Sequence, residues 1–141
     1  MRAALLALLA AGCSATGGVE HYNAPDRKDT LPFSHLVRVG DTFYVAGTLG
    51  IDPVTGTPPA DVEAEIRAML DDFAKKLALA DLTMADLVST EVYCPDATLY
   101  AQFNTIYASY FKGPPPARAF IGSGPLLRGA RFEIKGIAAR R

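Results

Sequence analysis

Three consecutive prolines, Pro114–Pro116, constrain the fold of this chain more than any other local feature. Each proline fixes φ and removes a backbone N–H donor, so a helix does not continue through them. They end the preceding helical pattern and begin a stiff, extended segment that leads into Arg118. Because this approach is stiff, the planar guanidinium of Arg118 keeps its direction and is suited to binding an anion.

A carboxylate, Glu133, follows Arg118 in the last strand-like run of the chain, Ala130–Ala138. In that run Phe132 and Ile134 alternate with charged residues, so Glu133 points away from the apolar side of the strand. An arginine and a glutamate taken alone are equally well explained as surface charges. Their interpretation as a site depends on the residues that accompany them.

The first half of the chain reads as a hairpin followed by a helix. Leu36–Val39 and Thr42–Ala46 are short β-rich runs around Gly40-Asp41, which is a typical hairpin link. Apolar residues then recur at helical spacing over Val62–Leu77, with acidic residues at the start and lysines near the end. A short extra strand is allowed near Leu49–Ile51.

The second half predicts a strand at Leu87–Cys94, a helix over Leu99–Tyr110 and final strands at Ala117–Gly122 and Ala130–Ala138. With the short extra strand, the chain is predicted to form a single six-stranded mixed sheet. Both helices are amphipathic, so we expect them to pack on one face of that sheet in an α+β fold.

Length and charge limit the classes of protein that fit. With 141 residues, the chain has enough sequence for one hydrophobic core and one domain. Its formal net charge of −1 provides no basic surface for phosphate backbones. We therefore expect no nucleic-acid partner.

The N-terminal residues read as an export signal. Residues 1–13 contain one cation, a short apolar run, small residues and then Cys13, which is the pattern of a bacterial lipoprotein signal with lipidation at that cysteine. Residues 14–29 then become a flexible tether and residues 30–141 the domain. This interpretation predicts a periplasmic protein that contacts a membrane only through its lipid anchor; the alternative is a cytoplasmic protein with a short disordered N-terminus.

The remaining cysteine and the histidines point to no further chemistry. Cys94 ends an alternating run and is expected to be a buried, inert thiol rather than a nucleophile or a disulfide partner. His21 and His35 are too far apart for a local metal pair, and no metal-binding motif occurs. We predict no metal and no cofactor.

Several motifs occur together in a fixed order, namely Pro32-Phe33-Ser34-His35, the hairpin from Val39-Gly40-Asp41 to Ala46-Gly47, Asn104, Tyr107, Arg118 and Glu133. In this order they resemble the RidA/YjgF family over residues 30 to 138. The resemblance implies a chorismate mutase-like fold and a homotrimer whose sheets close into a barrel, with ligand sites in the clefts between subunits. It also implies hydrolysis of small 2-imino or 2-enamino acids to 2-oxo acids and ammonia without a cofactor.

The resemblance also implies roles for particular residues. Arg118 is expected to hold the substrate carboxylate, and Glu133 to move protons between the attacking water and the departing nitrogen. Asn104 is expected to fix a loop at the subunit interface beside the ligand. The other expected substrate-binding residues are Phe33, Gly47, Ala119 and Phe120.

Four positions depart from the archetypal deaminases of the family. Those enzymes carry Tyr at the position of Phe33, Ser at Ala46, Gln at Thr48 and often Cys at Phe120. Each difference removes or alters a polar group around the ligand, while Arg118 is retained. These differences suggest the alternative of a non-catalytic trimer that binds small carboxylated ligands. RNA cleavage, which is attributed to some members of the family, is a third candidate that the charge disfavours.

Overall fold

The structure is a computed structural model that describes residues 18–140. Six strands form one mixed sheet in the order β1-β2-β3-β6-β4-β5, in which β4 and β5 are parallel and every other neighbouring pair is antiparallel. Two helices accompany the sheet, which confirms the predicted six-stranded α+β fold. The elements are β1 (Val19–Tyr22), β2 (Leu36–Val39), β3 (Thr42–Leu49), α1 (Val62–Ala78), β4 (Leu87–Cys94), α2 (Tyr100–Ala108), β5 (Ala117–Gly122) and β6 (Glu133–Ala139).

Helix α1 begins where its sequence supplies a cap. Asp61 Oδ1 accepts the backbone N–H of Ala64 at 2.8 Å, and acidic residues in the first turn and lysines in the last complement the helix dipole. The helix buries one stripe against the sheet because its apolar residues recur every three or four positions. That stripe consists of Ile66, Met69, Leu70, Phe73 and Leu77.

Helix α2 is shorter than the predicted Leu99–Tyr110. A 3₁₀ turn at Ala97–Leu99, capped by Asp96, precedes it, and it ends at Ala108 before the prolines. Its buried residues are Phe103, Ile106 and Tyr107.

One face of the sheet forms the core with both helices. Phe43, Val92 and Ile134 are fully buried on this face and belong to the same cluster as the buried stripes of α1 and α2. The alternating positions lie on the other face, where Tyr44 and Ile137 are exposed. Within residues 18–140 the sheet is therefore covered on one side only, and a trimer built on its open side stays a prediction.

The sixth strand is not where the sequence suggested. No separate strand forms at Leu49–Ile51, because β3 continues to Leu49 through a register shift between Val45 and Thr48. The sixth strand is β1, which lies inside the expected tether and pairs with β2. The prediction of a flexible tether is thus wrong for residues 19–22, which form a strand. The sequence suggested a loop because this exposed edge strand shows no alternation of apolar and polar residues.

The export signal and Cys13 lie outside the described residues, so the lipoprotein interpretation stays a prediction. Over residues 18–140, no helix is both long enough and apolar enough to span a bilayer. Cys94 lies within the described part and is fully buried, as expected. Burial raises the pKa of its thiol, which favours the unreactive protonated form.

Candidate functional site

Arg118 lies on β5, an edge strand of the sheet, and is held beneath α2. It is paired in register with Thr90 of β4, which is buried on the helix-covered face, so Arg118 points to that face as well. Its Nη2 donates to Asn104 Oδ1 at 2.6 Å. Asn104 therefore orients the guanidinium, while the remaining N–H groups of the five it carries leave capacity for a ligand.

Aromatic rings surround the Arg118 guanidinium. Its central carbon lies 4.7 Å from the ring centre of Tyr107 and 5.6 Å from that of Phe103. Tyr100 and Phe120 lie at 5.8 and 5.9 Å. Cation–π attraction and packing keep the guanidinium in place at the mouth of a cleft of about 330 Å³, which Pro115 and Pro116 line.

Glu133 begins β6 and lines a different, larger cleft. It alternates with buried Ile134 and shares the exposed side of β6 with Lys135. The cleft has a volume of about 810 Å³. Among residues 18–140, no side chain is hydrogen-bonded to the Glu133 carboxylate, because Arg131 pairs with Glu65 and Lys135 pairs with Glu91. This carboxylate is therefore available to a ligand or a water molecule.

The β3 bulge places Gly47 directly against Glu133. A Cβ atom added at Gly47 would overlap the Glu133 carboxylate, so a larger residue here would displace this carboxylate from its present position. Lys76 of α1 holds the bulge, since its Nζ donates to Thr48 Oγ1 at 2.8 Å and to the Gly47 carbonyl at 3.3 Å. Burial lowers the pKa of Lys76, while Asp72 at 3.5 Å and the nearby Glu133 oppose that shift.

A single chain does not bring Arg118 and Glu133 together. Phe33 and Gly47 lie with Glu133 in the larger cleft, whereas Asn104 lies with Arg118 in the smaller one. Strand β4 separates the two strands that carry the charged groups.

Two further residues of the predicted site lie outside both clefts. Phe120 packs against Phe103 and Tyr100, with ring centres 5.4 and 5.0 Å apart. Ala119 is exposed on the open face of the sheet, opposite Glu91 of β4. The backbone groups of both residues remain at the edge strand that presents Arg118.

Sequence reasoning missed most of the residues that line the larger cleft, including both of its other charged residues. Asp72, Leu127 and Arg128 line it together with Glu133. Arg128 adopts a left-handed conformation with φ of 58°, and its Nη1 donates to the Gly56 carbonyl at 3.1 Å. No local pattern marks these positions, because they reach the cleft only through the fold.

Both histidines form hydrogen bonds that stabilise the local structure. His35 Nδ1 accepts the backbone N–H of Ala24 at 3.1 Å, and His21 lies 2.9 Å from the Ser34 hydroxyl. Burial and then the charge of Lys76 lower the pKa of His35. Over the described range, no group of three acidic, histidine or cysteine side chains is arranged to hold a metal ion.

The fold and the paired clefts define a one-domain α+β protein of a widespread class. The solved YjgF gene product of Escherichia coli superposes with a TM-score of 0.79 at 28% identity, covering 86% of this chain and 99% of that one. The family model described as Endoribonuclease L-PSP matches residues 23–140. The chain belongs to this family, which is the RidA/YjgF family indicated by the sequence motifs.

Two relatives illustrate the range of names in the family. A mouse protein named 2-iminobutanoate/2-iminopropanoate deaminase is 36% identical over 110 residues, which is 77% of this chain and 82% of the relative. A protein of Sulfurisphaera tokodaii named only as a RutC family protein is 33% identical over 114 residues, which is 80% of this chain and 91% of the relative. The family thus includes imine deaminases.

Proposed function

We propose that the protein is a cofactor-independent hydrolase that converts small 2-imino or 2-enamino acids to 2-oxo acids and ammonia. The observation that carries this proposal is the Glu133 carboxylate, which lines a cleft beside Gly47 and is not paired by any side chain of residues 18–140. A carboxylate in this position can accept a proton from a water molecule. The imine deaminases among the relatives support the same reaction class.

The proposed site is completed by a second copy of the chain. Arg118 lies on an edge strand and Glu133 lies in another cleft, so one protomer supplies the carboxylate-binding cation and its neighbour supplies the acid–base group. A cyclic trimer repeats such a head-to-tail contact three times and closes. In this arrangement Asn104 and the aromatic rings keep Arg118 aimed at the neighbour.

The proposed reaction is a simple hydrolysis. Arg118 binds the substrate carboxylate with two hydrogen bonds, which orients the imine carbon. Glu133 takes a proton from water as the water oxygen forms a bond to that carbon. The carboxylic acid returns that proton to the imine nitrogen, which gives a 2-amino-2-hydroxy acid. Glu133 then transfers the hydroxyl proton to the same nitrogen as the carbon–nitrogen bond breaks, so ammonia leaves and the 2-oxo acid remains.

The first test is turnover of freshly generated 2-iminopropanoate or 2-iminobutanoate by the purified protein. We expect faster ammonia release, and we expect Arg118→Ala or Glu133→Gln to lower kcat/KM at least about a hundredfold. Arg67→Ala is the matched control, because Arg67 forms an exposed pair with Glu63 on the surface of α1 and lines neither cleft. Activity that survives Arg118→Ala would exclude the proposed role of this residue.

The second test asks whether two chains share the site. We expect neither the Arg118→Ala variant nor the Glu133→Gln variant to be active alone. When the two variants are unfolded together and refolded as an equal mixture, about a quarter of the contacts join an intact Arg118 to an intact Glu133. Activity should return to about that fraction, whereas no recovery is expected if each chain builds its own site.

A second candidate function is binding without turnover. Phe33 lies exposed in the Glu133 cleft without the hydroxyl of the family's tyrosine, which removes one group that could orient water. Tight binding of 2-oxo acids by calorimetry, with no acceleration of imine hydrolysis, would favour this alternative. The Phe33→Tyr variant should then gain measurable turnover.

RNA cleavage and cell location are separate questions. The family model is described as an endoribonuclease, but the net charge of −1 disfavours RNA binding, so we expect no degradation of a single-stranded RNA at low salt. We also propose export and lipid attachment at Cys13. Mass spectrometry of the mature N-terminus tests this, and an unprocessed Met1 would refute it.

A further inference from the structure

Large apolar side chains lie exposed around Glu133. Leu31, Phe33 and Leu127 line its cleft with exposures of 52%, 47% and 76%. Single exposed apolar residues are ordinary, but several that converge on one concave surface mark a binding site. Leu49 lines the same cleft and is half-buried. We call Leu31, Phe33, Leu49 and Leu127 the apolar wall.

We infer that the preferred substrates are 2-imino acids with branched aliphatic or aromatic side chains, rather than 2-iminopropanoate. This inference rests on the proposed function. When Arg118 of the neighbour holds the carboxylate and Glu133 faces the imine carbon, the third substituent of that carbon has the apolar wall as its remaining surface. A methyl group covers little of this wall, whereas an isobutyl or benzyl group covers much of it.

The size and charges of the cleft agree with this substrate class. Its volume of about 810 Å³ is ample for a bulky side chain. Asp72 and Glu133 both line the cleft, but Asp72 is paired with Lys76 at 3.5 Å, so Glu133 is the carboxylate that disfavours substrates with a second negative group. Arg128 is the cation of the same cleft, but its Nη1 donates to the Gly56 carbonyl. An acidic substrate bound by Arg128 is therefore the competing prediction.

The test compares the imines of leucine, phenylalanine, alanine and aspartate, each generated in situ from the amino acid by an L-amino acid oxidase. We expect kcat/KM for the leucine and phenylalanine imines to exceed that for the alanine imine at least about tenfold, since one methylene group in an apolar pocket already changes kcat/KM by about that factor. Leu127→Ser should reduce this preference to less than about threefold. Val54→Ser is the matched control, because Val54 is 92% exposed and lies outside the cleft.

Any of three other results would overturn the inference. Equal rates, or a preference for the alanine imine, would leave deamination intact and remove the role of the apolar wall. A preference for the aspartate imine would assign the side-chain site to Arg128. A change of oligomeric state in Leu127→Ser, seen by light scattering without a change of preference, would make the apolar wall a contact between subunits.

Measurements of 2-oxo acid binding distinguish failure of this inference from failure of the proposed function. If no imine is turned over, calorimetry with 4-methyl-2-oxopentanoate and pyruvate still measures the side-chain preference. At least about tenfold tighter binding of the branched oxo acid supports the apolar wall as its site. Equal affinities refute the inference.

Discussion

The ion pair between buried Glu65 and Arg131 links helix α1 to the residues just before β6. Removing it gives a quantitative test of how much this pair stabilises the region. Glu65 of α1 is fully buried, and its Oε1 accepts the backbone N–H of Arg131 at 2.6 Å while its Oε2 pairs with Arg131 Nε. The same guanidinium donates to the carbonyls of Pro59 and Ala60. One carboxylate thus links α1, the preceding loop and the residues that lead into Glu133.

The perturbation is Glu65→Ala. Two hydrogen bonds to a charged group contribute about 1.5–3 kcal/mol each, and breaking a buried pair costs about 3–5 kcal/mol. The Arg131 side chain is 30% exposed and keeps two backbone acceptors, so water and these carbonyls offset part of the loss. We expect the free energy of unfolding to fall by about 3 kcal/mol.

Urea unfolding at one fixed protein concentration measures this loss, because assembly makes apparent stability depend on concentration. Glu65→Gln keeps an acceptor for the Arg131 backbone N–H and should lose only about 1–2 kcal/mol. Glu63→Ala removes an exposed pair with Arg67 on the same helix and should change stability by less than about 0.5 kcal/mol. If Glu65→Ala loses no more than Glu63→Ala, the buried pair does not hold this region.

Three further predictions concern the Glu133 cleft and its surroundings. Gly47→Ala should lower deaminase kcat at least about tenfold with a smaller effect on stability, because its Cβ would displace the Glu133 carboxylate; rates and urea unfolding measured together check this. Lys76→Met should release the β3 bulge at Gly47 and lower kcat about tenfold, whereas Lys76→Arg should retain more activity, and equal loss in both variants would contradict the role of the ammonium. The pKa of His35 is lower in the folded state than its ordinary value of 6.5. At pH values just below 6.5 the unfolded chain therefore binds more protons than the folded chain, so the free energy of unfolding should fall as the pH drops from 6.5 toward the lowered pKa. Unfolding at stepwise lower pH should show a smaller decline in His35→Gln, and identical pH profiles would refute the assignment.

The sequence by itself determined the local elements of the fold. The helical period predicted α1 almost to the residue, and Gly40, with φ of 59°, formed the expected link between β2 and β3. The prolines led into β5 as expected, whereas α2 had already ended at Ala108, before it reached them. These features depend on backbone geometry and periodicity within a few residues, so a single sequence contains their full cause.

Only the tertiary structure decided how the candidate site is arranged. Alternation showed that Glu133 points away from the apolar side of its strand, but not that Arg118 lies in a separate cleft beneath α2. Nothing near Glu65 in sequence indicated its pairing with Arg131, and nothing near Arg128 indicated its place beside Glu133. The physical reason is that strand order and the packing of distant loops fix these distances, and such contacts form between segments that carry no record of each other in their local sequence.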